Sequence, residues 1–155
     1  MAQEIERKFL VTGDGWRDEV RASVRYRQGY LSSGGRCSVR VRVAGDRAYL
    51  NIKSATLDIV RTEYEYPIPV TEAEEMLAQL CSGLLIEKTR HFVDYGGFTW
   101  EIDVFEGANR GLVVAEIELE RADSVFPRPP WAGAEVSDDP RYYNVCLART
   151  PYTQW

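Results

Sequence analysis

The 155-residue chain carries 19 Lys and Arg against 24 Asp and Glu, a formal net charge of -5 with a single histidine. That length is expected to make one domain, 1–155, with its own core, and 45% hydrophobic with 28% charged residues is an ordinary globular composition that argues against disorder. The acidic balance argues against general affinity for a nucleic-acid polymer or an anionic membrane. Cys37, Cys81 and Cys146, far apart and odd in number, offer neither a disulfide framework nor a zinc site. The first residues are charged where a secretory leader needs an apolar run, and no stretch approaches ~18 apolar residues, so a cytoplasmic protein is expected.

Period-two alternation with β-branched and aromatic residues predicts strands over 2–11, 22–32, 36–44, 47–55, 58–67, 84–95, 98–106 and 112–121. Gly13-Asp14-Gly15 reads as a turn into a short helix. Ser33-Gly34-Gly35, Gly45-Asp46 and Gly96-Gly97 suit hairpins between neighbouring strands. After the fifth strand, Thr71 and Glu74 form a capping box, Ala73, Met76, Leu77, Leu80 and Cys81 an apolar helical stripe, and Gly83 a stop. Beyond the eighth strand lies the Pro-rich stretch Phe126-Pro127-Arg128-Pro129-Pro130-Trp131. A last helix is expected with Asp139 as N-cap and Pro140 at the first position, running through Tyr143 to about Arg149. Eight antiparallel strands are about the number that closes into a barrel around side chains or one small ligand. The expected class is therefore β-rich α+β, an eight-stranded antiparallel closed barrel with a few surface helices.

The strands carry charges two residues apart: Glu4, Glu6 and Lys8, then Arg40/Arg42, Glu63/Glu65, Lys88/Arg90, Glu101/Asp103 and Glu116/Glu118, with Lys53 in mid-strand. Alternate residues share one face of a strand. Any single pair is explained by a solvent-facing strand with cross-strand partners, contributing about 0.2–1 kcal/mol. The set is different, because acidic pairs stay acidic and basic pairs stay basic. Like charges about 6.6 Å apart, two strand steps, repel unless a counter-charge sits between them. A hydrated tunnel in which carboxylates hold hard cations and Lys and Arg hold an oxyanion resolves that repulsion, and polyphosphate with Mg²⁺ or Mn²⁺ meets both demands.

Other chemistries lack their residues. One histidine, His91, cannot furnish a zinc triad, the sequence offers no ordinary Ser-His-Asp arrangement around it, and it reads as structural. A P-loop and a nucleophile elbow are both absent, and Gly13-Asp14-Gly15 lacks the third glycine of a dinucleotide loop.

Taken in order, Glu4-Ile5-Glu6-Arg7-Lys8, Gln28-Gly29-Tyr30-Leu31, Val39-Arg40-Val41-Arg42, Ile52-Lys53, Glu63-Tyr64-Glu65, Lys88-Thr89-Arg90, Glu101-Ile102-Asp103 and Glu116-Ile117-Glu118 resemble the motif series of the CYTH proteins, or triphosphate tunnel metalloenzymes. Trp131-Ala132-Gly133-Ala134-Glu135-Val136 and Tyr142-Tyr143-Asn144 are similar to the tail of short single-domain bacterial members with tripolyphosphatase activity. The resemblance spans nearly the whole chain. It implies an eight-stranded tunnel that binds a triphosphate inside and uses divalent metal for phosphoryl chemistry.

On that basis the triphosphate clamp is expected in Lys8, Arg40, Arg42, Lys53, Lys88 and Arg90. Metal is expected chiefly at Glu4, Glu6, Glu116 and Glu118, with Asp103, Glu63 and Glu65 secondary. Two Mg²⁺ or Mn²⁺ ions per site would share the work, one orienting phosphates and the other activating water. The resemblance pairs Lys8 with Tyr30 as a catalytic dyad; core or rim packing is the competing reading of Tyr30. It also makes Tyr142 and Asn144 gate or positioning residues at a tunnel mouth, against simple packing of Tyr143, Val145 and Leu147. The leading expectation is hydrolysis of inorganic tripolyphosphate to pyrophosphate and phosphate. Thiamine or nucleoside triphosphate hydrolysis, adenylyl cyclisation, and a non-enzymatic polyphosphate-binding module use the same charges and stay open. An outward apolar strand face is compatible with a homodimer.

Overall fold

The computed structural model describes residues 2–155. Its strands are β1 (Gln3–Val11), β2 (Val20–Ser32), β3 (Cys37–Ala44), β4 (Arg47–Ser54), β5 (Val60–Ile68), β6 (Ser82–Tyr95), β7 (Phe98–Phe105), β8 (Val113–Glu118) and β9 (Ala132–Glu135), with helices α1 (Val70–Gln79) and α2 (Asn144–Leu147). The order β5-β4-β3-β2-β6-β7-β8-β1 is antiparallel throughout and closes on itself through β5 and β1, giving an eight-stranded barrel. Closure rests on three residue pairs, Gln3 with Thr62, Glu4 with Arg61 and Ile5 with Val60. Hydrogen bonds from Glu6 N to Ile59 O and from Glu63 N to Ala2 O extend it at either side.

The barrel is charged inside, and its outer face is apolar where other segments cover it. Phe9, Trp100, Ile102, Ala115 and Ile117 point outward from β1, β7 and β8 into a core completed by Trp16 and Trp131, both from outside the barrel. Trp16 comes from the short helical turn Gly15–Glu19 that the Gly13-Asp14-Gly15 turn introduces. The Pro-rich segment brings Phe126 and Trp131 edge-on to Trp100 at centroid distances of 5.7 and 5.3 Å, within the range where aromatic pairs add to area burial. On the other side Ala73 and Leu77 of α1 pack on Val41, Val43 and Ala48 of β3 and β4. Arg27 of β2 donates to both carboxylate oxygens of Glu74. Much of the outward apolar surface thus finds partners within the chain, while Tyr64 and Tyr66 of β5 stay about half exposed, and the lumen is left to the polar face.

Two local expectations are corrected and one strand is added. The first helix starts at Val70 with Pro69 at the N-cap, so Thr71 lies inside it and makes no cap, and it ends before Leu80, well short of Gly83. The last helix is broken in two. Asp139 does cap the turn Pro140–Tyr142, accepting from Arg141 N, but Tyr143 then adopts an extended ψ of 137° before α2 begins. The reason is the Tyr143 ring, which is drawn into the barrel with its hydroxyl donating to Ser137 O at 2.7 Å. Finally, β9 extends the sheet beyond β1, pairing Glu135 with Phe9 and Ala132 with Val11.

Candidate functional site

Because β1 turns Ile5 and Phe9 outward, it turns Glu4, Glu6 and Lys8 inward, and the same alternation acts on every other strand of the barrel. The result is a lumen of about 270 Å³ lined by seven cations, Lys8, Arg40, Arg42, Lys53, Arg61, Lys88 and Arg90, and seven carboxylates, Glu4, Glu6, Glu63, Glu65, Glu101, Glu116 and Glu118. Tyr30 also faces it. Every residue expected in the clamp, the metal set or the Lys8–Tyr30 dyad lines the lumen except Asp103. Asp103 is fully buried behind it, taken up by Lys88 at 2.8 Å and by Arg90 at 2.8 and 2.9 Å. Burial opposes its charge, but Arg90 and Lys88 outweigh burial and hold its carboxyl below the ordinary value. It anchors the two cations and has little left for a metal.

The charges are equal in number but not evenly spread. Lys8 donates to Glu116 at 2.7 Å and Glu6 at 3.2 Å. Lys53 pairs with Glu4 and Glu63 at 3.1 and 3.0 Å, and Arg90 pairs with Glu101, Asp103 and Glu116. Arg42 instead donates to the Gln28 side-chain oxygen at 2.9 Å. Arg40 is 6% exposed, and its Nε has no hydrogen-bond partner among the described residues. A neutralised sector therefore faces a sector of cations without carboxylate partners.

Protonation follows this division. Burial works against the Lys8 charge, yet Glu116 and Glu6 more than compensate, so the ammonium stays protonated far above its usual range. Glu116 is likewise held well below the carboxylate range, Lys8 and Arg90 overcoming its burial. Arg42, desolvated and beside Arg40 and Arg90, is pushed down to about 10. Lys88 is pushed down to about 7 by desolvation, with Arg90 and Arg42 opposing the help of Asp103 and Glu116. Glu118 rises to about 6 through burial and the neighbouring Glu4, Glu101 and Glu6. Glu6 and Glu101 also rise, burial being the largest cause for both.

Those raised carboxyls test whether a cation fits. Glu6, Glu101 and Glu118 repel one another and offer only hard oxygen donors, which suits Mg²⁺ or Mn²⁺. Among the described residues no three His, Cys, Asp or Glu side chains are gathered into a ready-made metal cage. That also suits Mg²⁺, which commonly binds through one or two carboxylates and completes its shell with water and substrate phosphates.

The C-terminal segment closes in on the lumen through Tyr143, Asn144 and Val145. Asn144 Oδ1 accepts from Lys88 at 2.9 Å and from Gln28 at 3.0 Å. The placement of the two tyrosines is the reverse of that expected: Tyr142 packs edge-on against Trp155 at a centroid distance of 5.1 Å, while Tyr143 reaches the lumen. His91 stands outside the barrel, its Nδ1 2.6 Å from Ser23 Oγ and its ring 5.2 Å from that of Trp16, as a structural histidine would. Arg61, Glu101, Asn51 and Ser38 line the lumen without having been singled out as site residues. Arg61 was legible in principle: it sits two residues before Glu63 on the same strand face, but the change of sign hid it among pairs sought by like charge.

The family model described as CYTH domain matches residues 2–143. A relative from Acetivibrio thermocellus named inorganic triphosphatase is 50% identical over 152 residues, covering 98% of this chain and 97% of its own. Another of the same name, from Nitrosomonas europaea, is 40% identical over 149 residues, covering 94% and 96%. A crystal structure described as an inorganic triphosphatase superposes with a TM-score of 0.68 at 38% identity, covering 96% of this chain and 95% of that one.

Proposed function

The chain belongs to the CYTH domain family, and from that premise we propose that it is a divalent-metal-dependent triphosphatase that hydrolyses inorganic tripolyphosphate to pyrophosphate and phosphate. The observation that carries this reading is the divided lumen: seven cations and seven carboxylates around about 270 Å³, with unpaired arginines on one side and mutually repelling carboxyls on the other. A polyphosphate answers the first sector and a hard cation the second.

In the reaction, water attacks a terminal phosphorus in line with the bridging oxygen. The new P–O bond forms from water, the bridging P–O bond breaks, and pyrophosphate leaves with that electron pair and takes up the proton that the water gives up, so the step balances with no further reactant. Arg40, Arg42, Lys53, Lys88 and Arg90 hold the non-bridging oxygens and meet charge as it develops, with no reorganisation needed at that moment. Lys8, locked in its protonated form, serves as a fixed positive charge beside the leaving oxygen and neither gives up nor takes a proton. Glu4, Glu6, Glu116 and Glu118 are the residues we assign to metal, with Glu63 and Glu65, whose nearest partners are Lys53 and Asn51, in support. A divalent ion bound there supplies Lewis acidity and charge neutralisation. We retain Tyr30, buried in the lumen wall, as an orienting group beside the reacting phosphate. The ion preference is for Mg²⁺ or Mn²⁺.

The test is a panel of tripolyphosphate, thiamine triphosphate, ATP and longer polyphosphates, run with Mg²⁺, Mn²⁺ and Ca²⁺ and scored for every product. Pyrophosphate and phosphate in equal amounts from tripolyphosphate, lost on chelation, are expected. Cyclic AMP as the main product from ATP would assign the tunnel to cyclisation, and tight binding without turnover under any metal would leave a binding module.

A further inference from the structure

Arg61 is held in surroundings that fit an anion better than anything the chain itself provides. It is 7% exposed; its Nη2 donates to the Ser54 carbonyl at 3.1 Å, and its Nε is buried with no acceptor among the described residues. The carboxylates within its reach are committed elsewhere. Glu4, opposite Arg61 across the β1–β5 pairing, and Glu63, two residues along, both pair with Lys53. A buried charge without a counter-ion is a standing penalty on the fold. It is understandable where a ligand brings the opposite charge.

The rest of its environment aims it without neutralising it. The Arg61 guanidinium lies 5.4 Å from the centre of the Tyr143 ring, and Lys8 Nζ lies 5.3 Å from the same ring. Tyr143 is itself fixed by the bond from its hydroxyl to Ser137 O at 2.7 Å. An aromatic face attracts a cation but accepts no strong hydrogen bond from it. One pinned ring therefore lies beside two cations from different strands, where residues 143–145 line the lumen.

We propose that Arg61 is a further phosphate-binding residue of the tunnel, donating to a non-bridging oxygen of the phosphoryl group that Lys8 also contacts, with the Tyr143 ring as the platform that sets both cations on that group. This rests on the triphosphatase reading above. The planar fork of Arg suits two oxygens of one phosphoryl group, and Lys would reach only one at a time.

The experiment compares the parent with Arg61→Met, Arg61→Lys and Arg40→Met, measuring the tripolyphosphate Kd by calorimetry with metal chelated, then KM, kcat and Tm. Metal-free binding is read because a purely structural role would move Tm and leave Kd alone. Arg61→Met is expected to weaken Kd at least tenfold, with Arg61→Lys in between. A Kd for Arg61→Met within twofold of the parent, while Arg40→Met binds poorly, overturns the role of Arg61 and spares the tunnel reading. Parent-like binding by both variants overturns the tunnel reading itself. Should Arg61→Met fail to fold, Arg61→Lys decides: a KM raised at least fivefold at unchanged Tm supports the role, and an unchanged KM refutes it.

Discussion

Replacing Arg40 by Met removes a charge and its hydrogen-bond donors while keeping much of the stem that packs in the lumen wall, and the free and substrate-bound protein should respond in opposite senses. In the free chain Arg40 is 6% exposed with its Nε unpartnered, and an unmade bond of a buried donor costs about 1–3 kcal/mol. Arg40 also helps push the neighbouring Arg42 down to about 10, after the larger effect of burial. The variant should therefore hold or raise Tm, by roughly 2–4 °C for each kcal/mol recovered in a chain of this size. With substrate present the same side chain makes charge-assisted hydrogen bonds worth about 1.5–3 kcal/mol. At about 1.4 kcal/mol per factor of ten, KM for tripolyphosphate should rise roughly 10- to 150-fold. Differential scanning calorimetry without ligand and steady-state phosphate release give the two numbers. A lowered Tm with an unchanged KM would mean that Arg40 is an ordinary wall residue and that the unpaired sector is not the anion site.

Three further outcomes are expected. A Cβ added to Gly29 would stand 2.7 Å from both Cys81 Sγ and Leu85 Cδ2, so Gly29→Ala should lose about 1–3 kcal/mol by overpacking, visible as a lower denaturation midpoint, while KM stays put because that Cβ points away from the lumen. Lys88, at about 7 in the free chain through burial, should be pulled upward by a bound polyanion. Metal-free tripolyphosphate binding should then take up a proton above pH 7 and weaken as pH rises toward 9, by at most tenfold per unit, which calorimetry in buffers of different ionisation enthalpy will show; pH-independent binding over that span would count against it. Glu118, raised to about 6 by burial and its acidic neighbours, must lose its proton to hold a cation, so the apparent Mg²⁺ affinity should fall as pH drops through 6. Glu118→Gln should weaken Mg²⁺ binding and flatten that fall, and a Gln variant with the parent's Mg²⁺ titration would remove the assignment.

The eight barrel strands and the lumen face were legible because one rule, side chains alternating every residue, sets both which residues pack outside and which charges point inside. What escaped was decided by contacts distant in sequence. The Ala-Gly-Ala-Glu of β9 has no strand propensity of its own; it is a strand because the β1 residues Phe9 and Val11 pair with it. Thr71 and Glu74 spell a capping box, but the chain had already entered the helix at Val70, and Glu74 is engaged by Arg27 of β2. The last helix breaks at Tyr143 for the sake of a bond to Ser137 and two cations on its ring. Asp103 carried the same motif signal as Glu101, yet the lysine and arginine of β6 claim it entirely. A local reading sees which face a residue takes; it does not see who is already waiting there.

The three-pair closure between β1 and β5 has a bearing on how the molecule responds to its ligand. Glu4, which we assign to metal, and Arg61, which we assign to phosphate, sit opposite each other in that clasp. Opening the clasp pulls the two halves of the site apart before any of the longer strand pairings need yield. A metal–polyphosphate pair bridging the lumen would then act as a bolt across it. Amide hydrogen exchange should slow first and most at Gln3–Ile5 and Val60–Thr62, so that occupancy of the tunnel could be followed from the backbone of the barrel wall.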